Sequence, residues 1–291
     1  MSFKYEMKRI QTYHISVAIV TLKISLVAVV LLKYLPEATK EDLLFDSTFF
    51  WFLLAGFLAQ LVDGALGMAY GVTSNTILLS FGLSPRLASA AVHTSEVFTT
   101  GVSGLSHIRF GNFDKRLFIR LLIPGVISAS IGAFLLGSVI DGNSIKPYIN
   151  LYLMGLGIII LFKAFKRAPD KSKNLKYASL YAAVGGFMDS IGGGGWGPIV
   201  TSNLIRQGNT PNVIIGTVNT VEFFVTFFSA GILIYFTGLQ SWQIILGLIV
   251  GGTLAAPLGA FLTKKIPTKA MMITVGIVII ITSAFSVFKA L

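Results

Sequence analysis

Two stripes of polar side chains recur at helical spacing inside apolar stretches of the chain. The first stripe consists of His93, Glu96, Thr100 and Ser103. The second lies 126 residues later and consists of Asn219, Glu222, Thr226 and Ser229. Spacings of three and four residues place each set on one helix face. Because a carboxylate inside an apolar span is costly, we predict that Glu96 and Glu222 act in coupling or proton relay. The alternative is a protonated glutamate that only links helices.

An aspartate and a glycine-rich break precede each stripe. Asp63 leads into GALGMAYG, and Asp189 leads into GGGGWGP. Irregular backbone at membrane depth is tolerated only where it is buried in protein or lines a wet cavity. Each break is therefore predicted to end one half-helix and begin another, whose free N–H groups and positive dipole end suit an oxyanion. Two alternatives stay open: the glycines permit close helix packing, and the aspartates cap the half-helices.

The candidate substrate-binding residues come from the breaks, from the hydroxyl and amide runs after them, and from the position where the stripes differ. They are Gly71, Thr73, Ser74, Asn75, His93, Gly194, Gly195, Trp196, Gly197, Thr201, Ser202, Asn203 and Asn219. Asp63 and Asp189 join the two glutamates as candidate relay groups. Lys23 and Arg206 are candidate counter-charges. His93 either makes the two half-sites unequal or satisfies a neighbour, and Trp196, like its counterpart Tyr70, is more often a packing residue than a gate.

A gapless internal repeat contains both breaks and both stripes. Residues 63–104 and 189–230 share twelve identical positions, and acids, hydroxyls and turn residues are repeated more faithfully than apolar ones. The tetrapeptide GAFL at 132–135 and 259–262 extends the duplication. The repeat therefore concerns a site as well as a fold.

Composition and charge place this repeat in a membrane. The chain is 54% hydrophobic, with a mean hydropathy of +0.79, which is typical of a polytopic membrane protein. Of its 23 Lys and Arg residues, 16 fall in four short segments, 1–14, 105–120, 163–176 and 263–269. This clustering indicates positive-inside topology rather than nucleic-acid binding. With no cysteine and three histidines, no metal centre or cofactor is expected.

The predicted fold class is all-α. Full spans are assigned to 14–34, 85–105, 116–139, 147–166, 211–236, 241–263 and 270–289. Segments 48–82 and 177–208 are each too long for one span and short for two, so we interpret them as broken helical hairpins. The expected units are an N-terminal span with an acidic external linker (1–47), a first repeat (48–166), a basic cytoplasmic linker (167–176) and a second repeat (177–291).

Each repeat thus holds one hairpin and three crossings, an odd number, so the second repeat should be inverted relative to the first. The amino terminus is then cytoplasmic and the carboxyl end external, in the plasma membrane. A signal peptide is the alternative for the first span, but no small-x-small cleavage site follows it before the acidic linker. Lys23 in its middle would cost about 2.5–3.5 kcal/mol facing lipid, so it is expected to snorkel or to point into the bundle.

An intramembrane enzyme is a poor fit to the sequence. Gly101, Ser103 and Gly104 are similar to the serine motif of intramembrane proteases, but such a site needs a histidine on a later helix. The chain has no histidine after His107. We therefore expect no enzymatic activity.

The paired hairpin-and-helix units, the GGGGWGP break followed by TSN, and the helix segments HTSEVF and NTVEFF resemble the TauE/SafE family of sulfite and organosulfonate exporters. The resemblance covers about residues 48–289 and implies a small sulfur oxyanion as substrate. The first break, GALGMAYG, is not a pure glycine run, so the two half-sites are not equivalent.

Four buried acids would repel an anion if all were ionised, so either some are protonated or a cation neutralises them. The hypothesis is proton-coupled anion export by alternating access, with Glu96 and Glu222 as carriers. The alternative is a cation or metal transporter that uses the intramembrane acids as ligands; a passive assembly subunit is a third possibility. Expected partners are the small anion and the lipid bilayer, without nucleic acid. The sequence leaves the oligomeric state open, a homodimer included.

Overall fold

The computed structural model describes residues 2–34, 45–165, 175, 177–207, 211–238, 242–262 and 268–290. In this part of the chain all regular structure is helical, which confirms the all-α prediction. The helices are α1 (Ser2–Tyr34), α2 (Ser47–Leu66), α3 (Tyr70–Ser80), α4 (Pro85–Arg109), α5 (Lys115–Phe134), α6 (Gly142–Ala164), α7 (Ala178–Gly192), α8 (Ser202–Arg206), α9 (Pro211–Thr237), α10 (Trp242–Leu262) and α11 (Thr268–Ala290). A π-helical segment, Leu135–Val139, continues α5, and another, Gly197–Thr201, leads into α8.

The helices agree closely with the predicted spans. Six of the seven spans begin and end within five residues of a helix, whereas α1 begins earlier, at Ser2. Four helices, α1, α5, α6 and α9, are long and apolar enough to cross a bilayer, and the described parts of α2, α10 and α11 add shorter apolar segments. Helix α4 has 25 residues but is not among these four, because its polar stripe lowers its hydropathy. The chain is therefore built as a multi-pass membrane protein.

Short polar residues fix where several helices begin. Asp46 accepts a hydrogen bond from Thr48 N at 2.7 Å, and Asp114 accepts one from Leu117 N at 2.9 Å. Each bond satisfies an N–H that the first turn of a helix leaves without a partner. Asp141 caps α6 in the same way, and the hydroxyl of Ser144, with the N–H groups of Asn143 and Ser144, holds the pKa of Asp141 below its usual value.

Each predicted hairpin is a pair of helices separated by a break. Helix α2 ends at Gly67 and α7 ends at Gly193, both with φ of +63°. Only glycine adopts this left-handed conformation without strain, so it is the usual residue after a helix end. The chain resumes as α3 at Tyr70 and as the π-helical segment at Gly197. We call residues 67–71 the first break and residues 193–197 the second break.

Corresponding helices of the two repeats pack antiparallel. In the α4–α9 pair, Gly104 faces Thr220 and His107 faces Gly216, so the residue numbers run in opposite directions. In the α6–α11 pair, Gly157 faces Gly276, while Lys269 lies over the ring of Phe165 at 4.6 Å. The small residues allow the helix backbones to approach closely.

The remaining large contacts each join a helix of one repeat to a helix of the other. Helix α2 packs on α10 and α5 packs on α7. Both pairs are parallel: Asp46 N bonds to Gln243 and Gly56 faces Leu248, while Arg120 O accepts from Ser179 and Gly132 faces Phe187. In the repeat α2 corresponds to α7 and α10 corresponds to α5, so the two pairs are equivalent. The two halves therefore interlock around the α4–α9 contact.

Lys23 points into the bundle, as one of the two expectations had it. Its ammonium lies 3.4 Å from the carbonyl oxygen of Phe98 on α4 and 5.3 Å from the centre of the Phe98 ring. Gly101 makes room for the aliphatic part of the side chain. A carbonyl and an aromatic face therefore compensate part of the cost of a lysine in the middle of a span.

Candidate functional site

The two breaks pack directly against each other at the centre of the molecule. A Cβ atom on Gly194 would lie 2.6 Å from Cα of Val72, and one on Gly71 would lie 3.3 Å from the carbonyl oxygen of Gly193. A Cβ on Gly197 would meet the main chain of Met68. These glycines are therefore needed for close contact between the breaks, so the packing alternative holds at these positions.

Each aspartate caps the half-helix that follows its break. Asp63 Oδ1 accepts from the N–H of Ala69 at 2.8 Å and of Tyr70 at 3.2 Å. Asp189 Oδ1 accepts from the N–H of Trp196 at 3.0 Å. The expectation that these first N–H groups stay free for an oxyanion is wrong for the described state, because carboxylates of the chain occupy them. The capping alternative is the one the structure shows.

Four acidic side chains line one small cavity between the breaks. They are Asp63, Glu96, Asp189 and Glu222. The predicted residues Gly71, Gly194, Gly195 and Gly197 also line it. Its volume is about 10 Å³, which is room for about one water molecule. The structure thus brings acids from both repeats together, in a state too tight for a sulfur oxyanion.

Glu96 is a buried acid with one carboxylate oxygen left without a hydrogen bond in the described part of the chain. Its side chain is 2% exposed, and its Oε2 atom has no hydrogen-bond partner among the described residues. The Oε1 atom is the group closest to the position of a Cβ on Gly71, at 2.8 Å. Glu96 therefore faces the first break with one carboxylate oxygen left for another group.

His93 links the first stripe to the second break. Its Nε2 lies 3.3 Å from Asp189 Oδ2, and its Nδ1 lies 2.8 Å from the carbonyl oxygen of Ser89. His93 is fully buried. The corresponding residue, Asn219, donates to Ser103 Oγ at 2.8 Å instead. His93 therefore satisfies buried neighbours, and its counterpart has different partners; a role in making the two half-sites functionally unequal stays a prediction.

Several predicted binding residues lie outside the cavity lining. Asn75 donates to the carbonyl oxygen of Gly192 at the end of α7, and Asn203 donates to Ile199 O at 2.7 Å. Ser202 bonds to Lys163 and Pro198. The hydroxyls of three more are buried without a partner in the described residues: Thr73, Ser74 and Thr201. Binding roles for all of these residues remain predictions.

The aromatic residues at the breaks pack. Trp196 is fully buried, and its indole N–H reaches Val218 O at 3.4 Å. Its ring lies against Gly125. The hydroxyl of Tyr70 reaches Leu248 O at 3.3 Å. This supports packing over gating for both.

Lys23, one of the two candidate counter-charges, does not lie at the acids. The ammonium of Lys23 contacts Phe98, as described above. Arg206 ends α8, but its side chain lies outside the described residues. Compensation by these two cations remains a prediction.

Sequence reasoning missed two polar residues on α6. The Oη atom of Tyr152 is buried without a partner in the described part of the chain, and the ring lies against Gly192 and Gly195. Lys163 donates to Pro198 O at 3.2 Å. Neither residue belongs to the repeated stripes, and Lys163 was counted only as part of the basic segment 163–176. Only three-dimensional packing brings α6 to the second break.

Comparisons with known proteins identify related membrane transporters. The family model for the sulfite exporter TauE/SafE matches residues 52–286. The chain is 43% identical over 242 residues to the probable membrane transporter protein YtnM of Bacillus subtilis (strain 168), covering 80% of each chain. It is 20% identical over 266 residues to the probable membrane transporter protein YunE of the same organism, covering 82% of this chain and 97% of YunE. No solved structure matches significantly.

Proposed function

The chain belongs to the sulfite exporter TauE/SafE family of membrane transporters, and on that premise we propose that it exports a small sulfur oxyanion, either sulfite or an organosulfonate. Export would proceed by alternating access, as a secondary transporter of the plasma membrane. The observation that carries the proposal is the single cavity that both breaks and all four acids share. A site at the interface of two repeats is where secondary transporters bind substrate.

The packing directions support inverted repeats. Helices α4 and α9 correspond in the repeat and pack antiparallel, and so do α6 and α11. Together with the four basic segments, this favours a cytoplasmic amino terminus, an external carboxyl end and the division at residues 47, 166 and 176. Alternating access is then a rocking of one repeat against the other around the shared cavity.

Substrate entry in that cycle would need a wider cavity than the one described. A volume of about 10 Å³ excludes a four-atom oxyanion, so the breaks must separate before the substrate enters. The N–H groups of Gly71 and Val72 belong to the first turn of α3, and neither aspartate caps them. These donors would bind the oxyanion once the cavity widens.

The need for charge compensation indicates which ion is coupled to movement of the anion. An anion beside four carboxylates gains enough attraction only when positive charge accompanies it. Glu96 and Glu222 lie in corresponding positions and both line the cavity. We assign proton carriage to this pair, with one proton bound in each cycle when the oxyanion is bound.

Flux measurements in proteoliposomes test the proposal. Wild-type protein should catalyse saturable transport of radiolabelled sulfite that accelerates with a pH gradient. Glu222→Gln should keep sulfite-induced thermal stabilisation but lose the pH-gradient dependence, and Glu41→Gln serves as a matched control that changes neither. A Glu222→Gln protein whose transport remains fully coupled would remove the carrier role, and wild-type protein without sulfite flux would remove the export function.

A cation or metal transporter is the second candidate. The observation that favours it is the proximity of ligand atoms from His93, Glu96 and Asp189, which all lie within 4.8 Å of one another. This candidate predicts flux that follows a divalent cation or Na⁺ and is indifferent to sulfite. The same liposomes, loaded with cation instead of sulfite, distinguish the two.

A further inference from the structure

The hydrogen bonds around His93 fix which ring nitrogen carries the proton. Ser89 Oγ lies 3.2 Å from His93 Nδ1 and donates to Ser190 O at 2.8 Å, so its single hydrogen is already used. The backbone oxygen of Ser89, 2.8 Å from Nδ1, can only accept. Both neighbours of Nδ1 therefore require a donor, and Nδ1 must carry the hydrogen. In the neutral ring, Nε2 then presents a lone pair.

That lone pair points at the carboxyl group of Asp189. Asp189 Oδ2 lies 3.3 Å from His93 Nε2, so a neutral ring and an ionised carboxylate repel each other unless a proton or a metal cation lies between the two atoms. Glu96 belongs to the same group, since one ligand atom from each of the three residues lies within 4.8 Å of the others. Its Oε2 has no hydrogen-bond partner among the described residues, and the three side chains are all buried. A single cation would contact all three side chains.

We propose that His93, Glu96 and Asp189 bind one divalent transition-metal ion of the Mn²⁺ and Zn²⁺ type. Ligand bonds of about 2.1 Å in a tetrahedral site place neighbouring ligand atoms about 3.4 Å apart, which is close to the observed His93–Asp189 separation. Nitrogen and carboxylate donors together suit these ions. A ligating histidine typically donates its other N–H to a backbone carbonyl, as His93 does to Ser89.

The alternative is a proton between His93 Nε2 and Asp189 Oδ2, carried by either residue. Such a proton would satisfy Asp189 but would leave Glu96 Oε2 without a donor. A metal ion would contact all three groups, two of which, Glu96 and Asp189, line the cavity. The inference deepens the proposed function, on which its role in charge compensation rests, because an ion held beside the cavity would attract an oxyanion. A proton on Glu96 takes over the compensation when the ion is absent.

The site can exist on one side only. The position that corresponds to His93 is Asn219, whose side chain amide is a poor ligand for these ions and donates to Ser103. We therefore expect one ion per chain. His93→Asn makes the first stripe match the second at this position and is the natural test variant.

Electron paramagnetic resonance of purified, chelator-stripped protein titrated with Mn²⁺ tests the site without any anion. Wild-type protein should bind one Mn²⁺ per chain, with echo modulation from a directly bound nitrogen, and Zn²⁺ should displace it because Zn²⁺ binds such donors more tightly. Glu96→Gln and His93→Asn should each weaken binding at least tenfold, and His93→Asn should also lose the nitrogen signal. Ser103→Ala, on the same helix face but outside the cluster, should bind like wild type.

Three results would overturn the site: no stoichiometric Mn²⁺ in wild type, bound Mn²⁺ without a nitrogen signal, or equal affinity in wild type and both variants. If His93→Asn does not fold, the wild-type nitrogen signal and Glu96→Gln still decide. Mn²⁺ binding without sulfite flux would reject the export function alone. Sulfite flux without Mn²⁺ binding would reject the metal site alone.

Discussion

The two half-sites of the cavity share a backbone plan but differ in their polar chemistry. Asp63 and Asp189 each lie four residues before a left-handed glycine that begins a break, and each caps the half-helix that follows the break. At the second break, His93 reaches across from the other repeat to Asp189. No corresponding contact joins Asn219 to Asp63, since Asn219 bonds to Ser103.

This difference separates what the duplication keeps from what it varies. The capping aspartates and the glycines set the geometry of the breaks, so both copies need them. The side chain at the position of His93 and Asn219 does not determine the geometry of a break. It can therefore give one half-site a nitrogen ligand and leave the other without one.

Replacing corresponding glycines should separate the two roles most strongly. A Cβ on Gly197 meets the main chain of Met68, which cannot move aside, so Gly197→Ala should lower the free energy of unfolding by about 3 kcal/mol. A Cβ on Gly71 meets the carboxylate end of Glu96, so Gly71→Ala should keep most of the stability and lose transport. Thermal unfolding in detergent and sulfite flux measure the two effects.

Gly231→Ala is the control for these variants, because nothing lies within 4 Å of its Cβ position. Its stability should match or exceed that of wild type. Equal, small losses for Gly197→Ala and Gly71→Ala would show that the breaks do not press against each other as described.

Replacing the aspartates should give a smaller difference in the free energy of unfolding. Which of the two variants is less stable is the informative result. Asp63→Ala leaves two N–H groups without their acceptor, whereas Asp189→Ala leaves one. Since a buried unsatisfied donor costs about 1–3 kcal/mol, Asp63→Ala should be the less stable variant by about that amount. Chemical or thermal unfolding of both proteins under one set of conditions measures it.

The opposite order in chelator-stripped protein would have a definite meaning. If His93 carried a second proton, Asp189→Ala would leave a buried charge without its partner at a cost of about 3–5 kcal/mol and would be the less stable of the two. Metal-loaded protein gives the same order through loss of a ligand, so only the chelator-stripped comparison tests the neutral ring that the hydrogen bond of Nδ1 indicates.

Much of the fold was predictable from the sequence because the chain contains the same structural unit twice. Apolar length and basic segments located the spans, and the in-register acids and glycines of the repeat indicated one shared site. The glycine-rich runs predicted a break in each hairpin, although the left-handed conformation of Gly67 and Gly193 was not among the predictions. These features depend on local sequence, which periodicity and composition report directly.

The missing parts depend on contacts between distant residues. The repeat alignment pairs His93 with Asn219, but in space His93 meets Asp189 of the other repeat. The aspartate caps were an open alternative in the sequence, because the path of each break is not fixed by local pattern. Nothing in the sequence placed Lys163 beside Ser202, so that contact was not predicted.

The central claim is that two oppositely oriented repeats enclose one site, and side-specific labelling tests it most directly. The chain has no cysteine, so Phe110→Cys and Phe236→Cys each create a unique thiol near the ends of α4 and α9, at positions 126 residues apart. In intact cells, a membrane-impermeant maleimide should label the cysteine at position 236, and it should label the one at position 110 only after permeabilisation. Labelling of both from the same side would contradict the inversion and, with it, the shared site.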